Sequence, residues 1–246
     1  MNDQPIRSAA TVILVRDGHP QYEILMLKRT TNTAFAGGMY VFPGGRVDES
    51  DYHFTYEHQI SQLSRDQLHQ KKALGEDWLA CWVAAIRETF EESGLLLACT
   101  DSGEQINTQA GKVIEYRRQL RNNEIDLTTI CAKEGWILTV DQIHFFNRWV
   151  TPPGRPRRFD TRFFIGSAPD GQLELHDGEE TTESIWISPT TALAENKKGK
   201  LAMMAVTIKQ LEDLSSHEAA ASLIARVESS RDFPHYLPSG ATRPDA

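Results

Sequence analysis

Three glutamates fall within a short stretch, Arg87-Glu88-Thr89-Phe90-Glu91-Glu92-Ser93-Gly94-Leu95. On a helix at 100° per residue, Glu88, Glu91 and Glu92 share one side, one turn apart, where their carboxylates can converge. Leu79, Trp82, Val83, Ile86 and Phe90 fall on the other side as an apolar stripe, the face such a helix packs on. Glu88 and Glu92, at i and i+4, repel each other and cost an isolated helix about 0.2–0.5 kcal/mol. A hard divalent cation with oxygen ligands turns that repulsion into coordination. A solvated acidic face is the commoner meaning of glutamates opposite an apolar stripe, so the surrounding residues must decide. Cys81, Ala84 and Ala85 lie on the acidic side and are small enough to leave room for an approaching group. Gly94 stops the helix, and residues 95–98 predict a short buried strand.

Two loops supply candidate partners for the carboxylates. Phe42-Pro43-Gly44-Gly45 places two glycines where backbone can approach a ligand closely, which makes Gly44 and Gly45 candidate substrate-binding positions. Thr151-Pro152-Pro153-Gly154 is a hard stop, and Arg155, Arg157 and Arg158 follow it. Arginines so placed form an anion clamp for a phosphate, the alternative being a solvated basic loop.

The elements that must position these residues are read from periodicity. Strands are expected over residues 10–16, 22–29, 39–42, 95–98, 142–150, 159–165 and 183–188, with a further one at 171–175. Helices are expected through the glutamates, over 109–121 and 124–134, and as two or three segments within 190–230. This is an α+β plan. Residues 1–232 read as one domain and 233–246 as a Pro-rich, flexible tail. Residues 52–78 separate the glycine loop from the acidic helix, with Ile60, Leu63 and Leu68 at roughly helical spacing. His53, His58 and His69 lie there without the carboxylate or cysteine spacing of a metal set.

The run Arg-Glu-x-x-Glu-Glu-x-Gly, with the glycine loop upstream, resembles the signature of the Nudix hydrolase family, G-x5-E-x7-R-E-U-x-E-E-x-G-U. Counted from Gly45, the first acidic position is Asp51 in place of Glu, and Thr89 stands at the first bulky aliphatic position. Arg87 follows Asp51 by far more than the signature's eight residues, so the box is split by the 52–78 segment, expected to border the substrate entrance. The resemblance implies an α/β/α sandwich with a mixed sheet and the box helix packed on it. It implies Mg²⁺ or Mn²⁺ held by Glu88, Glu91 and Glu92, with Glu180 or Glu183 as an added ligand or base, and Arg87 orienting the glutamates. Leu25-Met26-Leu27-Lys28-Arg29-Thr30, Gly38 and the glycine loop match in register a pattern of the branch acting on coenzyme A, which makes Arg29 a substrate-binding candidate. A second arginine of that pattern is Ala34 here. The split box and Arg157-Arg158-Phe159-Asp160-Thr161 are similar to the peroxisomal coenzyme A diphosphatases of animals. Cleavage of coenzyme A or acyl-coenzyme A to 3′,5′-ADP and (acyl-)4′-phosphopantetheine is therefore expected. ADP-ribose, NADH or a dinucleotide remains an alternative substrate, and a non-catalytic nucleotide-binding regulatory module is an alternative of another class.

Composition narrows the partners. A net charge of −8 and a pI near 5.5 argue against nucleic acid or an anionic membrane as the main partner, and the resemblance implies a small diphosphate instead. Cys81, Cys99 and Cys131 are odd in number and form no metal-binding pair, as in reduced proteins. No apolar run has membrane-span length, and Arg243-Pro244-Asp245-Ala246 is not a peroxisomal address, so a cytoplasmic location is expected. The sequence leaves the oligomeric state open.

Overall fold

A computed structural model describes residues 5–31, 36–54 and 59–237. The chain runs β1 (Ile6–Arg16), β2 (Glu23–Arg29), β3 (Tyr40–Val41), β4 (Gly44–Arg46), α1 (Arg65–Leu74), α2 (Trp78–Ser93), β5 (Ala98–Cys99), α3 (Gly111–Arg121), α4 (Leu127–Glu134), β6 (Ile137–Leu138) and β7 (Ile143–Val150). It continues through β8 (Arg158–Ser167), β9 (Thr181–Ile187), α5 (Pro189–Lys197), α6 (Ala205–Leu214), α7 (Ala220–Glu228) and β10 (His235–Tyr236). Eight strands form one mixed sheet in the order β10-β7-β8-β1-β2-β3, with β4 also on β1 and β9 also on β2.

β1 and β8 lie parallel at the centre, and the unbroken apolar run Val12 to Val15 is buried on both faces, as a covered central strand requires. Alternation divides it between two cores. Ala10, Val12 and Leu14, with Leu25 and Leu27, meet Trp82, Val83, Ile86 and Phe90 of α2. Ile13 and Val15, with Ile24 and Met26, meet Leu211 and Leu214 of α6 and Leu223 of α7. The sheet is thus layered between α2 and the C-terminal helices, the expected α/β/α sandwich. Among the described residues no helix is long and apolar enough to cross a membrane.

Several expectations are corrected. Of the expected 95–98 strand only Ala98 joins a ladder, as part of β5 with Cys99, and β5 pairs with β6 outside the main sheet. Residues 171–175 form no strand. Instead the Gln172 carboxamide accepts from Leu96 N–H at 2.8 Å and donates to Leu96 C=O at 3.0 Å, standing in for a strand neighbour. Leu173 and Leu175, the apolar positions behind that expectation, remain exposed. Residues 233–237 are not a loose tail, because β10 pairs with β7 and Phe233 stacks on Phe145. His53 and His69 are exposed, whereas His58 and Ala34 lie outside the described residues.

The 52–78 segment contains the expected helix, α1, but its phase differs. Leu68 is exposed, and Gln67 and Gln70 are fully buried. Their carboxamides satisfy backbone that the sheet leaves unpaired. Gln67 donates to Val140 C=O and Ile143 C=O, and Gln70 accepts from Phe145 N–H at 2.7 Å, beside the irregularity in β7. The segment therefore buttresses β7 and α7, and none of its described residues lines the cleft treated below. Gln70→Ala should orphan a buried N–H and lower stability by about 1–3 kcal/mol, measured by urea unfolding, with turnover unchanged. A turnover loss without a stability loss would restore the entrance role.

Candidate active site

The acidic helix is held from every side. Cys81, Ala84 and Ala85 are fully buried, so the small residues on its glutamate side allow close packing rather than an opening for a ligand. Gly94 closes the helix at φ 76°, and its N–H donates to Phe90 C=O. The Arg117 guanidinium from α3 covers this end, donating to Glu91 C=O at 3.0 and 3.1 Å and to Leu175 C=O at 2.7 Å. The positive φ is what favours glycine at Gly94; a Cβ there would lie 2.9 Å from Arg117 Nη1, a contact the mobile end of that side chain can relieve.

Arg87 is the hub of the site. Its Nε and Nη2 donate to the two oxygens of Asp51, at 2.9 and 3.0 Å, in a buried bidentate pair. Nη1 donates to Glu88 at 2.9 Å and to Glu91 at 3.1 Å, and Nη2 also reaches Arg46 C=O. Asp51 therefore occupies the position counted for it from Gly45, although 36 residues separate it from Arg87. Burial opposes the charge on Arg87, yet Glu88, Asp51 and Glu91 together raise its pKa above the usual arginine value.

The carboxylates are crowded and dry. Burial raises the Glu88 pKa to about 7, with Arg87 opposing and Glu91 adding to the rise. Burial, then the charge on Glu88, raises Glu92 well above the ordinary range. Glu92 accepts from Gly44 N–H at 3.0 Å and has the Arg29 guanidinium at 3.8 Å. A Cβ on Gly45 would sit 2.4 Å from the Glu88 carboxylate, so Gly45 is the space that Glu88 occupies. Among the described residues no three His, Cys, Asp or Glu side chains are grouped as a preformed metal centre. The donor set nevertheless suits a hard divalent cation: oxygen ligands, desolvated, with less positive charge nearby than their number requires.

These groups open on a cleft of about 1770 Å³, larger than the ~300–1,000 Å³ usual for small-molecule sites. Arg29, Gly44, Gly45, Arg87, Glu88, Glu91, Glu92, Arg157 and Glu180 all line it, as does Arg155. Arg158 and Glu183 do not. Along β8 side chains alternate, so Phe159, Thr161 and Phe163 share the cleft face, and Arg157, just ahead of the strand, also lines the cleft. Arg158 falls on the other face, where it is buried and its Nε donates to Thr151 C=O. Glu183 is held by Tyr40 Oη at 2.9 Å and by Lys28 at 3.5 Å. Burial and then Glu183 push the Tyr40 phenol up to about 12. Glu180 sits in a loop fixed by Asp177, whose Oδ1 accepts from the N–H groups of Glu179, Glu180 and Thr181.

A family model described as the NUDT19 Nudix domain matches residues 55–214. With that match and the box geometry together, the chain belongs to the Nudix hydrolase family, whose members generally use divalent metal ions. It is 27% identical to the acyl-coenzyme A diphosphatase NUDT19 of Xenopus laevis, over 73% of this chain and 56% of that protein. It is 30% identical to the putative nudix hydrolase 7 of Caenorhabditis elegans, over 85% of this chain and 60% of that protein. The chain thus spans a little over half the length of these relatives. The crystal structure of a Nudix hydrolase from Alicyclobacillus acidocaldarius superposes at TM-score 0.79 with 27% identity, covering 92% of this chain and 99% of that one.

Two outcomes follow from the electrostatics. Asp51→Ala leaves Arg87 buried without its main partner and should cost about 3–5 kcal/mol in urea unfolding. Glu88, with a folded pKa of about 7 against an ordinary 4.5, binds more protons folded than unfolded between those values. Stability of the metal-free protein should therefore fall as pH rises through that window, with the full penalty present above it. In chelator, Glu88→Gln should melt higher than wild type at about pH 8, the gap closing toward about pH 5. A pH-independent gap would contradict the assignment.

Proposed function

We propose that the chain hydrolyses a diphosphate linking a nucleoside to another group, with coenzyme A or acyl-coenzyme A as substrate. The products would be 3′,5′-ADP and (acyl-)4′-phosphopantetheine. The observation that carries this reading is the distribution of charge in one long cleft: Glu88, Glu91 and Glu92 enter it from α2, and Arg155 and Arg157 from the β7–β8 connection. The relatives named acyl-coenzyme A diphosphatase support the substrate class.

Glu88, Glu91 and Glu92, with Glu180 beside them, would hold Mg²⁺ or Mn²⁺, which when bound neutralises the diphosphate and lowers the pKa of water. Arg87 fixes the glutamates and stays out of reach of substrate, since its donors are committed to Asp51, Glu88, Glu91 and Arg46 C=O. Arg29 differs: its Nε is buried with no hydrogen-bond partner among the described residues, a donor suited to a phosphate oxygen. Met39, Phe42 and Met203 give the cleft an apolar wall against which an uncharged part of the substrate can lie. Methionine adapts to varied shapes there. A second reading, cleavage of ADP-ribose, NADH or a dinucleotide, is favoured by Ala34, which stands where the coenzyme A pattern has an arginine.

Glu91→Gln and Glu92→Gln should each fold and lose roughly 10²-fold in kcat, as other losses of transition-state stabilisation do. Near-wild-type rates at saturating Mg²⁺ or Mn²⁺ would remove them from the ligand set. A panel of coenzyme A, acyl-coenzyme A, dephospho-coenzyme A, ADP-ribose, NADH and diadenosine polyphosphates, ranked by kcat/KM, tests the substrate. A clear preference for ADP-ribose or NADH would favour the second reading.

A further inference from the structure

Most of the described arginines are committed to carboxylates or carbonyls, but three that line the cleft are not. Arg7, Arg155 and Arg157 have no ion pair or hydrogen-bond partner among the described residues. All three are exposed, and uncommitted guanidinia gathered in one cleft of a protein with net charge −8 concentrate positive potential where an anionic group can be drawn.

The sheet register explains how Arg7 joins the other two. β1 and β8 are parallel, with Arg7 opposite Phe159, Ala9 opposite Thr161 and Thr11 opposite Phe163. All six line the cleft. Ser8, between Arg7 and Ala9, turns to the other face and accepts from Arg162. Neighbouring strands lie about 4.8 Å apart, and Arg157, two positions before Phe159 and just ahead of β8, lines the same cleft. Thr151 N–H donates to Phe159 C=O, which ties down the other end of the connection carrying Arg155 and Arg157. The small side chains of Ala9 and Thr161 leave the floor beside the arginines low.

We propose that Arg7 is a specificity-determining residue that, with Arg155 and Arg157, binds a phosphate monoester on the nucleoside end of the substrate. The assignment rests on the proposed reading that the substrate is coenzyme A, in which that group is the 3′-phosphate. Arg7 takes the place in the clamp that Arg158 cannot fill. Because these arginines come from β1 and the β7–β8 connection and the carboxylates from α2, the effect is on selection between substrates and not on the chemical step.

The test uses the full chain with Mg²⁺ and compares coenzyme A with dephospho-coenzyme A, which differ only in the 3′-phosphate. Charge-assisted contacts of this kind support a wild-type preference of roughly ten- to hundredfold for coenzyme A. Arg7→Gln should lower kcat/KM for coenzyme A about tenfold, chiefly through KM, and leave dephospho-coenzyme A unchanged. Arg7→Lys should recover part of the loss. Arg7 is exposed, so the variants should fold, and a thermal melt checks this. Calorimetric binding of 3′,5′-ADP and 5′-AMP separates the two layers of the argument. If wild type does not cleave coenzyme A yet binds 3′,5′-ADP more tightly than 5′-AMP in an Arg7-dependent way, the substrate reading fails and the phosphate site stands. Equal losses on both substrates, or no discrimination between 3′,5′-ADP and 5′-AMP, would overturn the site itself.

Discussion

The buried pair between Arg87 and Asp51 is the interaction on which the rest of the site depends. One planar guanidinium joins the loop after β4, the carbonyl of Arg46 and two of the three glutamates of α2. Removing water from one cation and several carboxylates is expensive, and only the bidentate geometry and full use of the arginine donors make it tolerable. The same crowding leaves Glu88 and Glu92 with raised pKa values, so the metal-free site is held in a state that added positive charge would relax. Stability is given up locally to hold these carboxylates together, a pattern familiar at functional sites.

The surrounding layers serve that hub. Small residues bring α2 close to β1, Gly45 makes room for Glu88, and Arg117 holds the carbonyl of Glu91 at the helix end. The cleft then lies on sheet residues whose alternation decides which side chains face it. Arg157 and Phe159 face the cleft, and Arg158 between them does not.

How much of this was legible in the sequence depends on whether a feature is local. The acidic box is local, and its spacing alone placed Glu88, Glu91 and Glu92 together. Asp51 was legible by counting from Gly45, because the insertion enters after it. Arg158 was misplaced because three clustered arginines do not reveal the phase in which β8 begins. Leu68 and the leucines at 173 and 175 misled for a related reason: apolar spacing marks burial only when a partner surface exists. Gln67 and Gln70 were buried against expectation because backbone donors and acceptors of a distant strand needed them. Arg7 carried no signal, since its meaning arises from register with a strand about 150 residues away.

The 36-residue separation within the Arg87–Asp51 pair also bears on the order in which the molecule assembles. Compared with the eight residues of an uninterrupted box, closing this longer loop costs about 1.3 kcal/mol more in chain entropy. That cost falls before the pair can form, and α1 must dock on β7, a strand made much later in the chain, to hold the loop closed. Local contacts therefore assemble the glutamates but not the Arg87–Asp51 pair, whose closure waits on distant pairings in the sheet. α2 alone brings Glu88, Glu91 and Glu92 together, but Asp51 is joined to Arg87 beside them only in a chain whose scaffold is already built.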